Sequence, residues 1–142
     1  MSALPQSGPV GQLRREPLTV ADLGAVLAIE NAAYEFPWTR GNFIDALAAG
    51  NHAQGLRDAA GVLCAYCVAM AGVQEMHLLN LTVALPYQRR GLARLMLDAL
   101  VADSRAAGAR WLWLEVRASN QRAQGVYRRY GFEPIGLRRG YY

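Results

Sequence analysis

The stretch from Asn80 to Arg94, Asn-Leu-Thr-Val-Ala-Leu-Pro-Tyr-Gln-Arg-Arg-Gly-Leu-Ala-Arg, constrains the fold more than any other part of the chain. Leu79, Leu81 and Val83 alternate with Asn80 and Thr82 at the two-residue period of a strand. Pro86 has no N–H for a ladder and ends the pairing, and from Leu92 onward the apolar spacing is helical. A strand therefore feeds a helix through a tight, basic, glycine-bearing turn. There the first N–H groups of the helix lack intrahelical partners and the macrodipole is positive, so an anion is favoured. Arg89, Arg90 and Arg94 add full charges, and Gly91 opens the main chain to close approach. A diphosphate suits such a turn; so does water around arginines flanking an ordinary helix start, and the local pattern leaves both readings open. It is not a Walker loop, because the spacing differs and the chain has no lysine.

With 142 residues the chain is one domain, long enough to bury about 70% of its unfolded surface. Hydrophobic residues make up 53% and charged ones 18%, which leaves room for disorder only at the start. Residues 1–12, with Pro5, Gly8, Pro9 and Gly11, read as a flexible tail, and 13–142 as a single domain. The net charge of +4 is carried by arginine alone and suits an anionic ligand at least as well as a nucleic acid. Without lysine there is no Schiff-base chemistry, no P-loop lysine and no serine–lysine dyad. Cys64 and Cys67 fall in Val62 to Met70, which reads as a buried strand. Positions three apart on a strand face opposite ways, so these sulfurs neither bridge nor share a metal, and reduced structural cysteines fit a cytoplasmic protein. No apolar run approaches the ~20 residues of a membrane span, and the start has neither the basic nor the apolar region of a signal peptide.

Leu13 to Leu18 is expected as a short edge strand, followed by a helix capped by Thr19 with Leu23, Val26, Leu27 and Tyr34 on one face and Glu30 near it. Pro37 interrupts an aromatic loop, Tyr34 to Thr39, that either lines a groove or plugs the core; Thr39 then opens a second helix, with Phe43, Ile44 and Leu47, stopped by Gly50. His52 to Arg57, Gly61 to Ala71 and Glu75 to Ala84 form an antiparallel meander. The helix after the basic turn carries Leu92, Leu95, Met96, Ala99 and Leu100 on one face, pairs Arg94 with Asp98 on the other, and ends at Gly108. Arg110 to Arg117 returns as a parallel strand, with Leu112, Leu114 and Val116 on one face and Trp111, Trp113, Glu115 and Arg117 on the other. Ser119 and Asn120 cap a last helix with Ala123, Val126, Tyr127 and Tyr130 on one stripe, which Gly131 closes before a strand from Phe132.

Glu115 shares its strand face with two tryptophans near the C-terminal end of a parallel strand, where ligands gather. Desolvation there would raise its pKa toward that of a general base; an ion pair with an arginine is the other reading. Tyr127 is either a core tyrosine or a hydroxyl at a cleft rim, and Asn120 is first a helix cap. His52 and His77 have no ligand partners at metal spacing, so no metal site is expected.

Taken together these residues resemble a family. Gln88-Arg89-Arg90-Gly91-Leu92-Ala93, set between strand and helix, matches the Gln/Arg-x-x-Gly-x-Gly/Ala signature of the GNAT acyltransferases. More narrowly, Phe36-Pro37-Trp38, the run Leu112 to Asn120, Tyr127 ahead of Gly131-Phe132, and Arg138-Arg139-Gly140-Tyr141-Tyr142 resemble its RimI-type branch, the bacterial ribosomal-protein-alanine N-acetyltransferases. The resemblance implies an α+β GNAT acyl-CoA N-acyltransferase fold, a mixed central sheet flanked by helices. It implies acetyl transfer from acetyl-CoA to the N-terminal α-amino group of a ribosomal protein, by direct attack in a ternary complex. Leu81, Thr82 and Val83 match the strand segment along the pantetheine arm. Arg89, Arg90, Gly91, Leu92, Ala93 and Arg94 match the pyrophosphate turn, and Asn120 a further cofactor contact. Glu115 matches the general base and Tyr127 the acid that protonates the leaving thiolate. No metal, membrane or direct nucleic-acid partner is expected, and the oligomeric state is left open.

Two features depart from the family. Ala93 stands where glycine is commonest, which the signature allows, and the chain ends at Tyr142, before the family's final strand. Glu30, Glu35, Asp45 and Glu75 are candidate acidic contacts for a basic substrate. The rival functions are a GNAT enzyme acting on a small amine and a basic ribosome- or nucleic-acid-binding module.

Overall fold

The computed structural model describes residues 12–117 and 119–134. Five strands lie side by side in chain order, β1 Arg14–Pro17, β2 His52–Arg57, β3 Leu63–Gly72, β4 Glu75–Val83 and β5 Trp111–Leu114. The first four are antiparallel neighbours, and β5 runs parallel to β4. Helices α1 Leu23–Ala33 and α2 Arg40–Ala48 precede the meander, α3 Leu92–Ala106 makes the crossover and α4 Gln121–Tyr130 follows β5. Among the described residues no helix is long and apolar enough to cross a membrane. The expected final strand and the Arg138 to Tyr142 motif lie outside the described residues.

Each sheet face has its own core. On one side Leu92, Met96, Leu97 and Leu100 of α3 meet Ala65, Cys67, Met76 and Leu78. On the other, Leu23 and Val26 of α1 and Phe43 of α2 meet Tyr66 and Val68. A fully buried leucine of this kind contributes about 1.5–3 kcal/mol, so the four apolar α3 positions hold the crossover helix down. The helix ends are local in origin. Thr39 Oγ1 accepts from Asn42 N (3.1 Å) while Asn42 Oδ1 accepts from Thr39 N (2.9 Å), which opens α2 where the sequence placed its cap. Gly108 at φ +87° follows α3, as expected of its stop.

Two bulges, invisible in the apolar pattern, reset the faces. Leu56 pairs with Ala65 but Arg57 pairs with Leu63, so Cys64 is an extra residue on β3. Leu63 consequently joins the α1 side, while Cys64 joins Cys67 in the α3-side core. This corrects the expectation that the sulfurs face opposite ways; both are free, buried thiols. Likewise Val68 pairs with Asn80 but Ala69 pairs with Leu78, which leaves Leu79 as the extra residue on β4. Met76 and Leu78 before the bulge, and Leu81 and Val83 after it, all pack on the α3 side, whereas Leu79 lies against the other core.

Other boundaries also shift. A 3₁₀ turn, Val20–Asp22, precedes α1, which ends at Ala33, so Tyr34 is extended (φ −130°, ψ 144°) rather than part of the stripe. β5 stops at Leu114 rather than Arg117, because its pairing with β4 ends at Leu78, just before the bulge. Its faces are as expected over that length: Leu112 and Leu114 pack on the core, and Trp111 stacks on Trp113 (5.8 Å). Asp98 accepts the Tyr130 hydroxyl (2.7 Å), and Arg94 lies over the Tyr130 ring (6.0 Å) instead of pairing with Asp98. His52 Nε2 is 3.2 Å from Asp103, which also takes Arg15, and no metal-binding group is found among the described residues.

Candidate active site

The site forms where β4 and β5 part company. Ala84 donates its N–H to Cys64 (2.8 Å), so by antiparallel alternation Thr82 and Asn80 turn their backbone groups toward β3. Leu81 and Val83 then turn theirs to the opposite edge, along which β5 no longer runs. Two side chains reach that edge. The Tyr34 hydroxyl donates to the Leu81 carbonyl (3.1 Å), and Gln88 Nε2 to that of Val83 (3.1 Å). The C-terminal half of β4, with its expected residues Leu81, Thr82 and Val83, thus walls an open-edged cleft at strand ends.

The basic turn follows at once. A 3₁₀ turn, Leu85–Tyr87, leads to Arg89 at φ +65° and Gly91 at φ +79°. Left-handed backbone is uncommon for arginine, and two such residues on either side of Arg90 curl the main chain in the manner of anion-binding concavities. No side chain caps Gly91, so the first N–H groups of α3 are left to a ligand or to solvent. Arg89, Arg90 and Arg94 are exposed around them, Ala93 is half-buried, and Leu92 is buried and roots the turn in the core. Arg90 lies over the Tyr87 ring (5.7 Å), while Arg122 donates to Gln88 Oε1 (2.8 Å) and ties the first turn of α4 to this loop. Asn120 Oδ1 accepts from Ala123 N (3.1 Å), the expected cap. The donor set, uncapped N–H groups with three exposed guanidiniums, fits a diphosphate.

Tyr127 is half-buried on α4, edge-on to Phe132 (5.7 Å). Burial, then the nearby Tyr34 and Cys67, push its phenol above the ordinary tyrosine value, so it holds its proton at neutral pH. Glu115 is exposed, in irregular chain just past β5 rather than on a strand face. The expected removal from water is absent here, because the strand that would have carried Glu115 has already ended. Beside it Arg117 lies over the exposed Phe36 ring (5.1 Å).

Sequence reasoning missed a buried polar network behind the cleft. Glu30, 2% exposed, accepts from the Tyr66 hydroxyl (2.6 Å), Asn80 Nδ2 (3.1 Å) and Trp38 N (2.9 Å). Thr82 Oγ1 donates to Asn80 Oδ1 (2.7 Å) and lies 2.7 Å from the Tyr34 hydroxyl. Glu30 is therefore a core residue, not an acidic contact for substrate. The available signal was its spacing from Leu23 and Val26, since a carboxylate on a buried stripe must find donors.

Phosphate donors at a helix start, a strand edge along which β5 no longer runs, a proton-holding phenol and a carboxylate just past the end of β5 together suit acyl transfer from a nucleotide thioester. Residues 23–132 match the acetyltransferase (GNAT) family, and the chain belongs to it. Within that family it is 35% identical over 129 residues, 88% of this chain and 84% of the other, to the [ribosomal protein bS18]-alanine N-acetyltransferase of Salmonella typhimurium. It superposes on the crystal structure of the ribosomal-protein-S18-alanine N-acetyltransferase from Escherichia coli with a TM-score of 0.82 and 34% identity, covering 92% of this chain and 83% of that one. The PaiA N-acetyltransferase from Thermoplasma acidophilum, solved in complex with coenzyme A, shares the fold (TM-score 0.78, 13% identity, 89% and 93% covered).

Proposed function

We propose that the chain transfers the acetyl group of acetyl-CoA to the α-amino group of a protein N-terminus, the N-terminal alanine of ribosomal protein bS18 being the substrate its relatives point to. The parting of β4 from β5 beside an uncapped, arginine-lined helix start carries this reading. The nucleotide diphosphate lies against Arg89 to Arg94, with Asn120 as a further contact, and the pantetheine arm along Leu81 to Val83.

Glu115 takes a proton from the substrate ammonium, directly or through water, and the freed amine attacks the thioester carbonyl. The new N–C bond forms as the C–S bond breaks, Tyr127 gives its proton to the departing thiolate and the nitrogen gives up its second proton to solvent, leaving an acetylated N-terminus and free CoA. Both residues regain their resting states by exchange with solvent, with one proton released. A free α-amine has a pKa of about 7.7–8.0 against about 10.4 for a lysine side chain, so a carboxylate base has less to do on this substrate. A basic N-terminal segment would find Glu35, Asp45 and Glu75, each exposed, as candidate contacts.

Calorimetry with acetyl-CoA followed by an acetylation assay tests the reading. Alanine-starting peptides should turn over while polyamines and amino sugars do not. Glu115→Gln and Tyr127→Phe should keep acetyl-CoA binding and lose most turnover at pH 7. CoA binding without peptide turnover would discard the substrate, and unchanged turnover in either variant would remove that residue from its role.

A further inference from the structure

Glu30 is the sink of a one-way chain of hydrogen bonds. Tyr66, Asn80 and Trp38 all donate to it, and Thr82 donates to Asn80, so the single Thr82 proton is spent. Thr82 Oγ1 can then only accept from Tyr34, so the one Tyr34 hydroxyl proton is shared in a three-centre bond between Thr82 Oγ1 at 2.7 Å and the Leu81 carbonyl at 3.1 Å. The end of this chain lies in the cleft, on one of the two β4 carbonyls that face it. Tyr34 also neighbours Tyr127 closely enough to act on its proton affinity.

An unmasked carbonyl oxygen at that place would oppose the chemistry. Attack on a thioester builds negative charge on the acyl oxygen, and N–H groups of the strand edge stabilise that charge, whereas the C=O dipole between them repels it. We propose that Tyr34 is a positioning residue for acetyl transfer. Its hydroxyl, held in place by the Glu30–Asn80–Thr82 chain, masks the cleft-facing Leu81 carbonyl so that this edge presents N–H groups to the reacting thioester. Tyr34 touches neither the proton taken from the amine nor the one given to sulfur, and acts through Leu81.

The inference rests on the acetyltransferase reading above, and its test separates the two. Tyr34→Phe keeps the ring and removes the mask; kcat on an alanine-starting peptide should fall about 10- to 100-fold, with KM for acetyl-CoA and its calorimetric affinity within about twofold of wild type. Tyr66→Phe removes a donor from the same carboxylate at the buried end of the chain and is the comparison. It should lower the midpoint of thermal unfolding and leave kcat within about twofold, because Tyr34 and Leu81 remain joined. Equal kcat losses in the two variants would make the network a packing element only. A Tyr34→Phe chain that unfolds or loses acetyl-CoA binding would make Tyr34 a fold residue, and either result overturns the proposal. Unchanged kcat in Tyr34→Phe, with the wild type active, overturns it while sparing the acetyltransferase reading; a wild type inert on every alanine-starting peptide overturns both.

Discussion

Gly91→Ala isolates one backbone angle. Gly91 sits at φ +79°, and a Cβ built there meets nothing within 4 Å, so no clash term enters. What remains is left-handed strain of about 1–2 kcal/mol, partly offset by the about 0.4–1 kcal/mol that alanine removes from the entropy of the unfolded chain. The net loss is about 1 kcal/mol. At ~2.1 cal/mol/K of unfolding entropy per residue, the 142-residue chain should show a thermal midpoint about 3 °C lower. Gly91→Asn tolerates the left-handed region and should lose less than half of that. If the alanine chain relieves its strain by rotating toward right-handed backbone, the first N–H groups of α3 leave their aim, and acetyl-CoA affinity should drop about tenfold while the Asn variant stays near wild type. Scanning calorimetry and isothermal titration read the two quantities separately. An alanine variant equal to wild type in both would refute the claim that this angle sets the anion site, and an Asn variant as impaired as the alanine one would show that side-chain bulk, not φ, is at issue.

Glu30→Ala should destabilise the fold by about 3–5 kcal/mol in urea titrations, because two buried donors and one half-buried donor lose their acceptor at once. Burial works against ionised Asp22, but the Thr19 N–H, the Arg57 guanidinium (2.5 Å) and the Thr19 hydroxyl outweigh it and hold the carboxyl below its ordinary value. Its stabilisation is therefore complete above the unfolded carboxylate pKa of about 3.9 and disappears as pH falls through the lower folded value. The stability difference between wild type and Asp22→Asn should be flat from pH 7 to 5 and close below pH 4; a difference that grows on acidification would contradict the assignment.

The parts of this fold legible in the sequence are those decided within a few residues. Thr39 and Asn42 opened α2, Asn120 capped α4, and the apolar spacing of Leu92, Met96 and Leu100 placed α3, because capping bonds and helical stripes need only neighbours in the chain. The basic turn was legible for the same reason, although the left-handed state of Arg89 was not. Features set by distant partners were unreadable. Glu30 looked like a surface acid because its donors Tyr66 and Asn80 lie 36 and 50 residues away. Tyr34 fitted a helical stripe, yet the helix ends one residue earlier and its hydroxyl crosses to β4. The length of β5 depends on whether β4 stays beside it, which its own residues do not state.

The extra residue at Leu79 lets one strand serve as two kinds of surface. Its first half is sealed on both sides by neighbours and carries load like any interior strand; its second half, turned by a single unpaired position, becomes a shelf. Removing that residue would not merely tidy the sheet. It would leave Leu81 and Val83 on the layer they already face, but let the crossover strand zip alongside to the end and cover the edge that the second half now offers.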